Sequence, residues 1–405
     1  MIGAVTATGF SQLFMSVMLK PLTAEYGWSR TAATGAITVG TILAGMLSLP
    51  FGKLADRYGP RVLTSLGALI TAILYYCITK FVDLWEFYAI FIIGRVISSN
   101  AISNIVPRTA AVNWFHRFRG RVLGLLSMAS ALGSSVLVFI AQLIMEHNGW
   151  RTVFILFAIG TIFLQALPAV LILRRCPEDY GLRPDGDQDA HEGSSSSDKK
   201  NSQEEFNWTL SEVIQTPALW LLIVASITAH IVNAGVGFHL VAYYTDVGIA
   251  TEVAVGALSI YAFTGAIANV VWGFLSERIS ERLLASAVMF LTAATILYLQ
   301  TVITPPGAFI FAVFFGLTSR GEGTLVNIIL AQYYGRNSYG TISGFVNPFN
   351  MIGLGTGPLI SSVMFDHTGS YQEVFSIFIA TSLVSAILLW LAKKPALPVR
   401  ISSQP

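Results

Sequence analysis

The sequence has few charged residues and almost no cysteine. Only 11% of its 405 residues are Asp, Glu, Lys or Arg, against about a quarter in an ordinary soluble domain. This scarcity excludes a soluble globular enzyme, a disordered protein and a nucleic-acid-binding protein with a basic face. Cys77 and Cys176 lie far apart in the sequence, so they indicate neither a disulfide framework nor a metal site. The net charge of +2 is too small to indicate a charged partner.

The sequence also lacks the spacings of common catalytic sites. No glycine-rich stretch falls between a predicted strand and a predicted helix, so no nucleotide-phosphate loop is indicated. No cluster of His and acidic residues, and no pairing of Ser with a base, has catalytic spacing. We therefore expect no enzyme activity and no cofactor.

Apolar residues dominate instead: they make up 54% of the chain, and the mean hydropathy is +0.65. A helix needs about 20 apolar residues to cross a bilayer. Twelve stretches meet this requirement, and they are numbered here as spans 1 to 12: residues 1–19, 32–51, 62–80, 86–106, 122–145, 152–173, 217–244, 253–274, 284–303, 307–332, 339–365 and 372–392. Span 1 is too long and too polar at its centre for a signal peptide. The sequence thus predicts an all-α membrane protein with twelve transmembrane helices.

The basic residues predict the orientation of these spans. Of the 24 Lys and Arg residues, 18 fall in the tail and in the loops on one side, including Arg108 after span 4, and 4 fall on the other. Only Arg95 and Arg320 lie within spans. The side with more Lys and Arg faces the cytoplasm by the positive-inside rule. We therefore expect a multi-pass protein of the cytoplasmic (plasma) membrane, with both termini in the cytoplasm.

One polar segment divides the chain into two halves. Residues 174–216 carry ten acids and five bases, with a serine run near the middle. This composition predicts a cytoplasmic linker that is largely disordered. The expected domains are a six-helix bundle over 1–173, the linker over 174–216, and a second six-helix bundle with a short tail over 217–405. Residues 207–216 fit either a short amphipathic helix on the membrane surface or an ordinary lead-in to span 7.

The two halves repeat each other at a nearly fixed offset. The sequence GKLADRYGPR, residues 52–61, follows span 2, and GFLSERISER, residues 273–282, follows span 8 at a displacement of 221. Gly120 at the start of span 5 corresponds to Gly340 at the start of span 11, at a displacement of 220. The repeat predicts two bundles related by an axis along the membrane normal.

These two loops resemble the signature of the major facilitator superfamily. The residues that carry the resemblance are Gly52, Asp56, Arg57, Gly59 and Arg61 in the first copy, and Gly273, Glu277, Arg278 and Arg282 in the weaker second copy. The resemblance implies the major facilitator fold and a charge network of Asp56, Arg57 and Arg61 that closes the inner gate in the outward-facing state. The alternative is that these charges only fix the topology.

Three further segments resemble the monocarboxylate and oxalate:formate branch of that superfamily. They are Gly27-Trp28-Ser29-Arg30 before span 2, Asn113-Trp114-Phe115 after span 4, and residues 177–186 of the linker, PEDYGLRPDG. Members of the branch place an Asp and an Arg in span 8 or a basic residue in span 11. Here Gly265 and Asn269 stand at the span 8 positions, and span 11 has no basic residue. An anionic substrate must then be bound by other residues.

Three charges inside the spans are the functional candidates, because each costs roughly 2.5–3.5 kcal/mol at a helix centre on insertion scales. They are Arg95 in span 4, and Arg320 and Glu322 in span 10. Arg320 and Glu322 are two residues apart and so cannot share a helix face. In the superfamily, spans 1, 4, 7 and 10 line the central cavity. Polar residues predicted to face it include Gln12, His230, Asn233 and the stripe Gly316, Arg320, Gly323, Thr324 and Asn327.

The hypothesis that follows is an anion site between the two bundles. Arg95 and Arg320 clamp a carboxylate, with Gln12, His230, Asn233 and Asn327 as further substrate contacts, and Glu322 or His230 carries a proton. The alternative is that Arg95 and Glu322 form a structural ion pair and that His230 only packs. We therefore predict a secondary transporter of a small, monocarboxylate-like organic anion, coupled to protons and working by rocker-switch alternating access. The partners are then the substrate, the proton and the lipid bilayer, without nucleic acid. The alternatives are an exporter of neutral or amphiphilic compounds and a non-transporting membrane sensor or scaffold.

Overall fold

The computed structural model describes residues 7–11, 14–15, 18, 21–22, 25–28, 30–182, 185 and 208–397. Most of span 1, including Gln12, lies outside the described residues, as does most of the predicted disordered part of the linker. Within the described part of the chain, all regular structure is helical. Nine of these helices are long and apolar enough to cross a membrane, and a bent pair in span 2 makes ten.

Every predicted span from the second to the twelfth is a helix, straight or broken. In the first half the helices are Arg30–Met46 and Ser48–Tyr58 for span 2, Pro60–Cys77 for span 3, Leu84–Ile97 and Ile105–Trp114 for span 4, and Arg119–Thr161 with Leu167–Leu171 for spans 5 and 6. In the second half they are Pro217–Asp246, Thr251–Leu275, Glu281–Leu299, Pro305–Ser319 with Gly321–Tyr334, Tyr339–Thr368 and Tyr371–Leu391. The protein is an all-α membrane protein built from two six-helix bundles.

Spans 2 and 4 are irregular helices, and a break separates span 5 from span 6. The two pieces of span 2 meet at 48°. Gly149 separates spans 5 and 6 with φ 77° and ψ 163°, a conformation that side-chain-bearing residues rarely adopt. Span 4 passes through a wider π-helical turn over Ser98–Ser103, a feature often found at functional sites. The breaks in spans 2 and 4 lie in helices that line the interface between the two bundles.

Three apolar cores hold the described helices together. The first core joins aromatic residues such as Phe14, Tyr75 and Phe154 with helix residues of spans 3, 4 and 6. The second half holds two cores, one at each end of spans 7, 9, 10 and 12. One of these two also includes Ala111, Val112 and Leu123 of the first half, so it joins the two bundles.

The segment before span 7 forms a short helix, Leu210–Ile214, closed by a reciprocal cap between Thr209 and Glu212. Trp208 is buried there and packs edge-on against Tyr334 of span 10. The segment therefore packs against the second bundle.

The loops over residues 52–61 and 273–282 lie at the same end of the molecule, which is called the motif end below. Among the described residues, the hydrogen bonds that join the two bundles lie in the motif half of the interface. One set of contacts between the bundles joins span 2 to span 11, and the other joins span 5 to span 8. The structure is therefore closed at the motif end.

Candidate functional site

Span 10 is interrupted at Arg320, between the helices Pro305–Ser319 and Gly321–Tyr334. The Arg320 side chain is exposed and extends toward span 8, where its guanidinium carbon lies 5.2 Å from the ring centroid of Tyr261. A Cβ at Gly265 would lie only 2.6 Å from Arg320 Cγ. The missing side chain at Gly265 therefore provides the space that Arg320 occupies.

Glu322 points away from Arg320 and toward span 7, as the spacing of the two residues predicts. Its carboxylate accepts a hydrogen bond of 2.8 Å from the hydroxyl of Ser226, and only 2% of the residue is exposed. His230 Nδ1 lies 3.9 Å from the second carboxylate oxygen and 2.8 Å from the Ser226 carbonyl oxygen. Since a carbonyl oxygen only accepts, Nδ1 carries a proton in this arrangement.

Asn233 of span 7 contacts the residue before Arg320 and the aromatic ring that Arg320 faces. Its amide nitrogen donates to the Ser319 carbonyl oxygen at 3.3 Å, and its amide oxygen accepts from the Tyr261 hydroxyl at 3.3 Å. Arg320 lies within electrostatic range of His230. Arg320, Asn233, His230 and Glu322 are therefore neighbouring polar residues of spans 7 and 10 in the second bundle.

Arg95 lies apart from this group. Its neighbours are Gly40 of span 2, whose added Cβ would lie 3.2 Å from Arg95 Cβ, and Tyr75 of span 3. Its Nε is buried and makes no hydrogen bond with the described residues. Within the described chain, no ion pair joins Arg95 to Glu322, and no contact joins it to Arg320. The structure does not assemble the ion pair that the alternative hypothesis requires, and the carboxylate clamp remains a prediction.

The predicted polar stripe of span 10 is not continuous. Gly316 is buried against Thr264 of span 8, and the Thr324 hydroxyl donates to the Asn269 side chain of the same span at 2.7 Å. Asn327 instead faces a cleft between the bundles and accepts a hydrogen bond of 3.1 Å from Tyr339. Residues of the stripe on both sides of the break at Arg320 therefore contact span 8, whereas Gly323 and Asn327 line the cleft.

Sequence reasoning missed Arg108. An end of span 4 at residue 106 places Arg108 in a loop, but the helix continues as Ile105–Trp114. Arg108 lines the narrow interbundle cleft, and it lies within electrostatic range of His230. The mostly apolar residues that follow it, 109–112, are a signal that the membrane helix extends beyond this arginine.

The first copy of the loop motif binds the start of span 11. Asp56 accepts hydrogen bonds from the N–H of Gly340 at 3.0 Å, the N–H of Thr341 at 2.7 Å and the Thr341 hydroxyl at 2.6 Å. A Cβ at Gly52 would overlap the carbonyl oxygen of Gly340. Gly59 has φ 78° and is followed by Pro60, which begins span 3. Glycine therefore permits the close approach, and the carboxylate binds a helix N-terminus.

The second copy makes the corresponding contact with span 5. Glu277 accepts a hydrogen bond from the Arg121 side chain at 2.6 Å and one from the Arg121 N–H at 3.3 Å. A Cβ at Gly273 would overlap the carbonyl oxygen of Gly120. In both halves an acid and a glycine of the loop motif thus contact the start of a helix of the other bundle.

The predicted charge network around Asp56 has different members. Among the described residues, the remaining motif arginines, which are Arg57, Arg61, Arg278 and Arg282, form no ion pair. The linker provides the additional contacts: Arg175 donates to the Asp56 backbone oxygen at 2.9 Å, and Glu178 forms an ion pair with Arg336 of the second bundle. Asp185 accepts from the N–H groups of residues 116–118 ahead of span 5. The described start of the linker therefore reinforces the closed motif end.

Comparisons with known proteins give the family. The family model described as Major Facilitator Superfamily matches residues 1–260 and 245–405. Monocarboxylate transporter 4 of Rattus norvegicus is 23% identical over 403 residues, which cover 96% of this chain and 81% of that protein. A probable L-galactonate transporter of Escherichia coli (strain K12) is 30% identical over 151 residues, which cover 37% of this chain and 33% of that protein.

A solved structure shows the same fold. The transporter FucP in its outward conformation aligns with a TM-score of 0.72 at 13% identity, covering 97% of this chain and 99% of that one. The family model covers nearly the whole chain, and the two-bundle architecture agrees with it. The chain belongs to the Major Facilitator Superfamily and is a membrane transporter.

Proposed function

We propose that the protein is a secondary transporter that moves a small organic anion, of the monocarboxylate type, together with a proton. Alternating access occurs by rocking of the two bundles about the central site. The likeness to monocarboxylate transporter 4 extends over 96% of the chain and supports this substrate class.

The observation that carries the proposal is the unneutralised guanidinium of Arg320. Within the described chain it forms no ion pair, and the span 8 position where the resemblance calls for an acid is Gly265. A planar guanidinium binds a carboxylate through two parallel hydrogen bonds. Arg320 therefore supplies the binding charge that the resemblance assigns to span 8. Tyr261 and Asn233 hold Arg320 and its helix break in place.

Glu322 and His230 are the proposed proton carriers. Glu322 is the acid that span 10 buries next to span 7, and its charge is costly there unless it is protonated or paired. His230 lies beside Glu322 and within electrostatic range of Arg320 and Arg108. A proton that reaches His230 from the cavity can therefore be passed to Glu322 with a small displacement.

We also propose that the closed motif end faces the cytoplasm, so that the structure is the outward-facing state. The distribution of Lys and Arg among the loops supports this orientation. FucP, which has the same fold, is in an outward conformation in the structure that aligns with this chain, and this likeness supports the assignment of the state.

Uptake into proteoliposomes tests the function. Labelled L-lactate and acetate are offered without a pH gradient and with a gradient imposed in either direction. Saturable uptake that depends on the gradient is expected for the wild type. Arg320→Gln should abolish it, Arg320→Lys should retain part of it, and Lys393→Gln, which removes an exposed charge from the tail, should leave it unchanged.

Two further results discriminate between the alternatives. Arg95→Gln tests the carboxylate clamp. The loss of a substrate-binding residue raises the KM, whereas the loss of a packing residue lowers the amount of folded protein. If folded protein takes up no carboxylate, the anion proposal is wrong, and an exporter of neutral or amphiphilic compounds becomes the better hypothesis.

A further inference from the structure

The narrow cleft between the two bundles is lined by polar residues from both. Span 4 contributes Asn104 and Arg108, and spans 10 and 11 contribute Asn327, Asn347 and Asn350. The cleft has room for about one sphere of the size of a water molecule. A carboxylate, a phosphate or a sulfate has several heavy atoms, so the space suits a water molecule or a monatomic ion.

Arg108 gives the cleft its charge, because it is the only charged residue among the described residues that line it. Within that part of the chain its side chain makes no hydrogen bond and no ion pair, and the Tyr339 side chain is its electrostatic neighbour. A guanidinium carries five N–H donors and no acceptor. A charge held inside a protein without a counter-charge is strongly unfavourable. A water molecule would accept a hydrogen bond from Arg108 but leave its charge uncompensated, whereas an anion does both.

The amides beside Arg108 present donors to the cleft rather than acceptors. The side-chain oxygens of Asn104 and Asn350 are fully buried and therefore sealed from the cleft, and the Asn347 oxygen receives a long contact of 3.5 Å from the Asn104 amide nitrogen. The amide nitrogens of Asn347 and Asn350 make no hydrogen bond with the described residues, and unlike the two buried oxygens they are not sealed. The free space thus meets N–H groups and a positive charge, which together bind anions.

We infer that this cleft binds a single chloride ion. The ion accepts hydrogen bonds from the Arg108 guanidinium of the first bundle and from the amides of Asn347 and Asn350 of the second. Chloride is the abundant monatomic anion of biological fluids, and it neutralises Arg108 while needing little more room than a water molecule. The inference goes beyond the proposed function, because it depends neither on the transported substrate nor on proton coupling.

A chloride ion in the cleft holds the motif end closed. Ser343 lines the cleft, and the carbonyl oxygen of the next residue, Gly344, accepts a hydrogen bond of 2.8 Å from Ser48 across the bundle interface. The cleft therefore lies beside the closed contact between spans 2 and 11. Because the ligands of the ion come from both bundles, separation of the bundles at this end removes some of them. Chloride thus binds the closed state more tightly than the open state and increases the closed population.

Thermal unfolding of the purified full-length protein in detergent tests the site. The sodium salts of chloride, bromide, sulfate, gluconate and L-lactate are compared at constant ionic strength, so that screening of surface charges is the same in every sample. An anion that binds the folded protein raises the melting temperature as its concentration rises. Chloride and bromide should produce a saturable rise that requires Arg108, and the three larger anions should produce none that requires it.

Variants locate the response. Arg108→Gln should abolish the rise caused by chloride. Asn350→Ala removes one donor and should raise the half-saturating chloride concentration about tenfold. Arg320→Gln is the matched control, because it removes a different arginine without an ion pair in the described chain and should leave the chloride response unchanged. With one spin label on each bundle at the motif end, exchange of gluconate for chloride should increase the population at the short distance in the wild type but not in Arg108→Gln.

Three results would overturn the inference: a rise with chloride no larger than that with gluconate, a chloride response that persists in Arg108→Gln, or stabilisation through Arg108 by L-lactate or sulfate equal to that by chloride. The first would mean that the cleft holds only water, and the last that it admits a larger anion. If the Arg108→Gln protein does not fold, an unchanged chloride response in both Arg108→Lys and Asn350→Ala would refute the site. A chloride response that requires Arg108 would stand even if the protein took up no carboxylate.

Discussion

The closed motif end depends on Asp56, and its replacement by Asn measures how much. The carboxylate accepts three hydrogen bonds at the N-terminus of span 11, from Gly340 and Thr341. Asn has the same size but only one acceptor oxygen, and its NH₂ group would face a backbone N–H donor. At least one hydrogen bond is therefore lost, and the negative charge is removed from the helix N-terminus.

These losses set an upper limit on the magnitude. A hydrogen bond to a charged group contributes about 1.5–3 kcal/mol, and a charge at a helix terminus contributes roughly 0.3–1 kcal/mol. Burial opposes the charged form and raises the pKa of Asp56 to about 6, so the closed state should be destabilised by at most about 2–4 kcal/mol relative to the open state. The ratio of open to closed protein should therefore rise by at most roughly 30- to 700-fold, since 1.4 kcal/mol corresponds to a factor of ten.

Distance measurements between spin labels report this ratio directly. The labels are attached to cysteines introduced at Lys53 and Asn337, which lie at the motif end, one on each bundle. The two native cysteines, Cys77 and Cys176, are free thiols and are first replaced by Ser. The wild type should show one short distance, and Asp56→Asn should add a population at a longer distance.

Arg57→Gln is the matched control, because Arg57 is the next residue, is exposed and forms no ion pair with the described residues. It should leave the distance distribution unchanged. If Asp56→Asn gives the same distribution as the wild type, or if Arg57→Gln opens the motif end equally, the hydrogen bonds of Asp56 do not hold the gate and the explanation is wrong.

Three further predictions concern other parts of the molecule. Gly265→Ala should raise the KM for the transported anion several-fold by displacing Arg320. Gly323→Ala should have little effect on the KM, because its added Cβ has no neighbour within 4 Å. Uptake kinetics of the two variants test this difference in KM. Glu322→Gln keeps the size of the side chain but cannot carry a proton, so it should make uptake independent of the pH gradient; uptake still driven by the gradient would exclude Glu322 as carrier. Hydrogen bonds from the Arg151 and Trp150 side chains hold the pKa of Glu25 below its ordinary value of 4.5. The hydrogen-bonded carboxylate therefore stabilises the folded state above pH 4.5, and this stabilisation is lost as the pH falls through the lowered pKa. Glu25→Gln should therefore lower the melting temperature at pH 7, and its difference from the wild type should disappear in acid; a difference that is constant with pH would refute the assignment.

Much of the fold is predictable because bilayer thickness determines the length of each apolar run. The apolar run of span 3 predicts a helix over 62–80, and the helix is Pro60–Cys77. The predicted end of span 4 is too early, because a charged residue normally marks the end of a membrane segment. Arg108 lies instead at the bundle interface, where other polar side chains surround it. Hydropathy describes transfer into lipid, so it cannot recognise a charge that is buried within protein.

Helical spacing predicts only part of the candidate site. The spacing of Arg320 and Glu322 predicts opposite directions, and they do point to spans 8 and 7. Spacing within one helix contains no information about the neighbouring helix. The hydrogen bond from Ser226 to Glu322 therefore could not be predicted, and neither could the separation of Arg95 from this group. Both depend on how the spans pack against one another.

The internal repeat explains why the motif end closes at two places and why those two places differ. Asp56 and Glu277 are related by the offset of the repeat, and so are Thr341 and Arg121, which they bind. Asp56 is held by backbone N–H groups and a short hydroxyl side chain, which have little freedom to follow a moving partner. Glu277 is held chiefly by the long side chain of Arg121, which can extend as the bundles separate. The contact between spans 2 and 11 therefore breaks at a smaller rotation than the contact between spans 5 and 8.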